Sequence, residues 1–390
     1  MSTAPATVED ADAGDVAATL RDAPFVRVVA AANGDALAAS GVLARALRER
    51  STPFQVRVDP VPNPLPADGD DVALALGVTG GDLALPGDAR PTSVGAAAAA
   101  RELGVDSDPI LALAGVTAAG RPVGDAPSLL DAATEQTEIE RRPGLAVPTT
   151  DPVEGLAHST LVRGPGSGDP EQVRAALADL GVPADPESAD RRQLASWLAI
   201  EASAPSTRAA EAVERVLHPY ATPERRFATV AGFGDALDAA ARERPGTGVA
   251  LAIRDAEATR SAVVDAWRGH ARAVHGALSD ATTGRYDGVF VARVADGDPG
   301  RLETVARLCR DFESPEPTVL VVADEAAAAA STADDGLDAA MAEAVRAVDA
   351  DGQSAGGSRW ATARFDDASA DADAFEAEVS RFIAAFRGAL

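Results

Sequence analysis

Along the first third of the chain, short apolar runs alternate with alanine- and leucine-rich stretches of helical spacing. An apolar run starting at Phe25 predicts a buried strand. A small-residue turn carrying Asn33 and Asp35 follows, and an Ala/Leu-rich helix runs on through Leu47. Phe54–Val58 alternates as a second strand, and a Pro/Asp/Gly linker spans Asp59–Asp70. Val72–Leu76 is a fully apolar third strand that ends at Gly77-Val78-Thr79-Gly80-Gly81. Ser93–Leu103 predicts a helix, and Ile110–Val116 fits helix or strand. Ahead of these, Val16–Arg21 predicts a short helix behind a loose N-terminus. Strands alternating with helices point to βαβ units and a mostly parallel sheet.

The pattern then turns helical. Helices are predicted from Ser128 toward Ile139, and over Glu171–Leu180, Arg191–Ala202, Thr207–Val216 and Pro223–Arg244. Gly181 closes the first of the middle pair as a C-cap. Glu140–Pro148 reads as a short strand or loop, and His158–Pro170 as a Gly/Pro/Ser-rich loop. After a turn at Arg244–Gly248, α/β alternation restarts. It predicts strands at Val249–Ile253, Gly288–Val294, Thr318–Val322 and Trp360–Phe365. Helices at Ala256–Leu278, Arg301–Asp311 and Ala372–Phe386 accompany them, with alanine-rich runs at Glu325–Ala330 and Gly336–Asp349 and a Gly-rich turn at Gly352–Gly357. The fold class is therefore α/β, in three segments: residues 1–125, a helical connector at 126–246, and a smaller C-terminal α/β domain at 247–390.

Composition narrows the setting. All 35 basic residues are arginine, against 61 acidic ones, for a net charge of −26. Such a surface suits a salt-rich cytoplasm, where self-repulsion is screened over ~3 Å at 1 M salt. The acidity does not exclude a nucleic-acid partner there, but phosphate contacts gain little at that ionic strength. The single Cys309 excludes an internal disulfide and fits a reducing interior. No apolar run is long enough to span a bilayer, so a soluble cytoplasmic protein is expected.

The turn at Asn33 and Asp35 lies at the C-terminal end of a strand, where open α/β sheets place their ligands. The strand and turn resemble the first motif of archaeal RecJ-type proteins of the DHH phosphoesterase superfamily, which runs His-x-Asp-Ala-Asp-Gly-Leu. Pro109–Gly115, Arg141-Arg142-Pro143-Gly144-Leu145, Leu156–Thr160 and Phe227–Gly248 extend the similarity. Gly356-Gly357-Ser358-Arg359-Trp360-Ala361 resembles the Gly-Gly-His-x-x-Ala element of the family's C-terminal substrate-binding domain. The resemblance implies a DHH-type N-terminal sheet and chemistry in which two manganese ions activate a water and clamp a phosphodiester.

The ligand set for those ions is mostly missing. Ala31 stands where the family has His, Asn33 where it has the first Asp, and Ala36 where it has Gly; Asp35 alone survives. The second and fourth motifs place Ala75 and Ala119 at their Asp positions, and Gly87–Pro91 holds no histidine. The chain's four histidines, His158, His218, His270 and His275, all lie beyond this region. His270 and His275, at i, i+5, are too widely spaced for a helical metal pair and are expected to be surface or partly buried helix residues. Asp82 and Asp88 are expected to be solvated.

Gly356, Gly357, Ser358 and Arg359 are candidates for holding a phosphate through backbone N–H groups and a guanidinium; an ordinary glycine turn explains them equally well. Trp360 either stacks on a base or packs in a core, and Arg141 and Arg142 either face nucleic acid or form a solvated pair. The resemblance implies a catalytically inactive nucleic-acid-binding or scaffold subunit in DNA replication or repair, with GINS and the replicative helicase as partners by analogy. The eukaryotic cell-division-cycle subunit of that helicase is a similarly inactivated relative. The alternative is an active Mn²⁺-dependent exonuclease on single-stranded DNA or RNA.

Overall fold

The sheet that opens the chain is built from β1 (Val26–Ala31), β2 (Phe54–Asp59), β3 (Val72–Leu76) and β4 (Leu83–Leu85), all parallel, in the order β2-β1-β3-β4. These are the coordinates of a computed structural model. It describes residues 13–390 apart from 137–138, 184, 204–205, 218, 223–226, 296, 349–351 and 366–371. The expected loose N-terminus at 1–12, His218, and the start of the helix expected from Pro223 lie outside the described residues.

Helices α1 (Ala13–Asp22), α2 (Gly34–Glu49), α3 (Thr92–Glu102), α4 (Pro109–Ala118) and α5 (Pro127–Gln136) accompany this sheet. Ile110–Val116, open between helix and strand in the sequence, is helix. Asp108 caps it through the Ile110 and Leu111 N–H groups, and Pro109 sits at its first position. Most of α2 is buried, from Gly34 to Ala44 and at Ala46 and Leu47, because helices cover it on several sides. Small residues make that approach possible. A Cβ on Gly34 would lie 2.7 Å from the Ala118 Cβ and 2.9 Å from the Asp238 backbone nitrogen.

The middle of the chain holds β5 (Glu140–Arg141), α6 (Pro152–His158), α7 (Pro170–Leu180), α8 (Ser188–Ser203), α9 (Thr207–Val216) and β6 (Tyr220–Ala221). Gly181 caps α7 in the left-handed conformation, as its position implied. The seven-residue helix α6 was not legible in the sequence; Asp151 caps it and Pro152 begins it. Next come α10 (Val230–Glu243), α11 (Pro245–Ile253) and α12 (Glu257–Asp280). The strand expected at Val249–Ile253 is therefore a helix, and the Arg244–Gly248 turn is its start. Proline belongs naturally at a helix's first position, so Pro245 opens α11 instead of breaking the chain. Helices α10 and α11 pack on α2 and share the N-terminal core with it, so a boundary at 246–247 falls inside an element of that core.

The last third is a six-stranded sheet in the order β11-β12-β10-β9-β8-β7. Its members are β7 (Thr282–Tyr286), β8 (Val289–Arg293), β9 (Thr318–Val322), β10 (Ala326–Ser331), β11 (Gln353–Gly356) and β12 (Trp360–Arg364), with α13 (Pro299–Phe312), α14 (Leu337–Ala347) and α15 (Ala372–Ala389). Only β8 and β9 pair in parallel. The alanine run became β10, buried throughout, against alanine's helical preference: β9 and β12 flank it and α13 packs upon it. The Gly-rich turn at Gly352–Gly357 is largely the edge strand β11. No helix among the described residues is long and apolar enough to cross a membrane.

Candidate functional site

The parallel sheet brings three strand ends together. Ala31 lies opposite Asp59 in register, and Val29 opposite Ala75, so the turn at Asn33 and Asp35 faces the ends of β2 and β3. Both sequence-predicted residues of this turn act as helix caps. The Asn33 side-chain oxygen accepts the Ala36 N–H (2.8 Å) at the start of α2. Asp35 reaches across to α3 and accepts the Thr92 N–H (2.6 Å) and the Ser93 N–H (2.9 Å), one on each carboxylate oxygen. Burial raises its carboxyl above the ordinary range, against the pull of those hydrogen bonds.

A dinuclear metal centre does not fit these residues. Hard cations take several oxygen ligands. Here both Asp35 oxygens are taken by the Thr92 and Ser93 N–H groups, and the strand ends beside this turn carry Ala31 and Ala75. Asp59 is engaged with Arg57 (2.6 Å) and with the Val61 N–H (3.0 Å). Among the described residues no group of three His, Cys, Asp or Glu side chains converges as a metal site. Asp82 and Asp88 are exposed, and Asp82 accepts the Ala67 and Ala73 N–H groups.

The second candidate, Gly356-Gly357-Ser358-Arg359, forms the turn between β11 and β12. Its carbonyls point at the start of α14: Gly357 O accepts the Asp338 N–H, and Ser358 O accepts those of Asp335 and Leu337. The Ser358 hydroxyl and Arg359 guanidinium both hold Asp334 (3.0 and 2.7 Å), and their hydrogen bonds keep that carboxyl below its ordinary range. Gly357 is buried against Asp88 of the N-terminal half. Trp360 packs on the N-terminal core, which settles its two readings in favour of packing. Arg142 is bound to Glu140 through two nitrogens (2.9 and 2.7 Å).

The densest polar cluster was not picked out by sequence reasoning. It lies on α10, where Asp235, Asp238, Arg242 and Glu243 meet α2, α12 and α13. Asp238 accepts the Gly34 N–H (2.8 Å) and pairs with Arg242 (2.5 Å). Arg242 also reaches Glu303 (3.1 Å) and the Gly300 carbonyl (2.9 Å). Burial pushes the Asp238 carboxyl up, but Arg242, Arg307 and the Gly34 N–H together outweigh it and hold the group below the ordinary range. Asp235 accepts the Trp267 indole N–H (2.8 Å) and the Thr160 hydroxyl. Glu243 binds Arg301 (2.6 Å) and His270 (3.0 Å); these contacts outweigh burial and bring it down to about 2. The i, i+4 spacing of Asp238 and Arg242 in an alanine-rich helix was the available signal.

The two histidines expected to be surface or partly buried are internal. His270 is fully buried between Glu243 and Thr304, and His275 donates from Nε2 to the Ser159 carbonyl (2.9 Å) while Arg163 faces its Nδ1 (3.4 Å). Burial lowers the His275 imidazole to about 4. A side-chain face with a helical period is not exposed when another helix covers it, and here α13 and the segment after α6 do so.

Comparisons with known proteins match this arrangement. Residues 281–388 match the family model described as "Uncharacterized protein rrnAC1427, C-terminal domain". The uncharacterized protein rrnAC1427 of Haloarcula marismortui is 46% identical over 384 residues, covering 97% of this chain and 96% of that protein. Among solved structures, CDC45 from Entamoeba histolytica superimposes with a TM-score of 0.63 at 8% identity, covering 95% of this chain and 97% of that one. A manganese-bound exonuclease RecJ overlaps less closely, with a TM-score of 0.48 at 15% identity over 99% of this chain and 96% of that chain. The chain therefore shares the fold of CDC45 and belongs to the family of the Haloarcula protein rrnAC1427.

Proposed function

We propose that this chain is a non-catalytic member of the RecJ-like DHH fold that works as a protein-binding subunit in DNA replication or repair, in a salt-rich archaeal cytoplasm. The observation that carries the reading is the use of Asp35: both oxygens of the one acidic residue left in the first motif anchor the amides of α3. Likeness to CDC45 over nearly the whole of both chains supports a scaffold on the same fold. A protein partner is favoured over nucleic acid because Arg359 is already paired with Asp334, and Asp88 lies against the same turn. GINS and the replicative helicase are the partners the analogy names.

Affinity capture of the tagged chain from a haloarchaeal lysate at molar KCl tests this. Recovery of GINS or helicase subunits is expected, and their absence from a capture that retains the chain itself contradicts the replication assignment.

A further inference from the structure

We propose that this chain stoppers its own cleft: the β11–β12 hairpin is seated as a fixed plug on the C-terminal edge of the parallel sheet, so that no polymer strand enters there. That edge is where open α/β sheets receive ligands. Three contacts of one hairpin cover it. Gly357, at the turn, is buried against the 86–91 loop, and a Cβ at its position would lie 2.5 Å from Asp88 Oδ1 and 3.3 Å from Asp88 Cγ. Its φ is not in the left-handed region, so what glycine supplies here is close approach to the Asp88 carboxylate and not backbone freedom. Trp360, at the start of β12, packs on the N-terminal core. Arg364, at the end of the same strand, places its guanidinium 3.9 Å from Asp59 at the end of β2.

The plug is braced from behind. Backbone carbonyls of Gly357 and Ser358 take up N–H groups at the start of α14, and Asp334 holds both Ser358 and Arg359. The sheet that carries the hairpin is fixed to the N-terminal half by the Arg242–Glu303 and Arg301–Glu243 ion pairs between α10 and α13. The inference rests on these contacts and stands whether or not the chain has a replication partner.

The double variant Asp88→Cys/Gly357→Cys tests it. A Cβ at 357 would lie 3.3 Å from the Asp88 Cγ, which is one bond from the Asp88 Cβ, so removing the carboxylate makes room for both thiols at close to disulfide spacing, and the one native cysteine, Cys309, is buried. Under diamide in molar KCl the two thiols are expected to join, leaving none accessible to a thiol reagent. Two thiols that remain titratable after oxidation overturn the plug. A labelled oligothymidylate is the second probe: binding by the reduced form that is lost on oxidation also overturns it, whereas no binding, or equal binding, in both forms supports it. Should the variant fail to fold, amide exchange on the native chain decides. The Gly357 amide, which donates to the Trp360 carbonyl at the buried turn, is expected to exchange much more slowly than an open-loop amide; exchange at the open-loop rate overturns the plug.

Discussion

Asp35 works in this structure as a link between helices. Its carboxylate links α2 to the first turn of α3, so Asp35→Ala is expected to leave two buried N–H groups without partners and to cost about 1–3 kcal/mol. Denaturant unfolding at fixed KCl measures this. His275 gives a pH-dependent counterpart. Its Nδ1 faces the Arg163 guanidinium, so only the neutral ring fits, and the folded state holds its titration near pH 4 against 6.5 when free. A depressed histidine contributes stability that is present above pH 6.5 and lost as pH falls toward 4, about 3 kcal/mol in all. His275→Gln, which keeps a donor toward the Ser159 carbonyl, is expected to flatten the unfolding midpoint between pH 6.5 and 4; an unchanged slope contradicts the assignment.

Among elements, α10 carries the most. Its apolar face belongs to the N-terminal core, while Asp238, Arg242 and Glu243 hold α2 and α13. Arg242→Ala is expected to cost about 3–5 kcal/mol, because Asp238 and Glu303 remain buried without their cation. Calorimetry is expected to show the single transition splitting, with the C-terminal half melting first.

The sequence made the parallel strands and most helices legible, since Val72–Leu76 or Thr318–Val322 could only be buried strands. It misled where a neighbour overrode local preference. Alanines 326–330 are strand because β9 and β12 pair with them, and Val249–Ile253 is helix because Pro245 begins a turn packed on α2. The candidate residues themselves were legible: Asn33, Asp35 and Gly357 all stand at the expected strand ends. What they bind was not, because caps and close approaches are set by elements distant in sequence, as Asp35 to Thr92 or Gly357 to Asp88 show.

For the whole molecule, −26 charges with no lysine imply a fold that depends on screening. Raising KCl from 0.1 to 3 M shortens the screening length from about 10 Å to below about 3 Å, and the unfolding midpoint is expected to rise steadily over that range. The buried α10 pairs respond less than the surface, so the salt-dependent gain is expected to be equal in native chain and Arg242→Ala. The proposal that this chain is non-catalytic is tested most directly by incubating the chain with 5′-labelled single-stranded DNA and Mn²⁺ at molar KCl. No nucleotide release above a metal-free control is expected. Release that requires Mn²⁺ and disappears in a folded Asp35→Asn variant would contradict it.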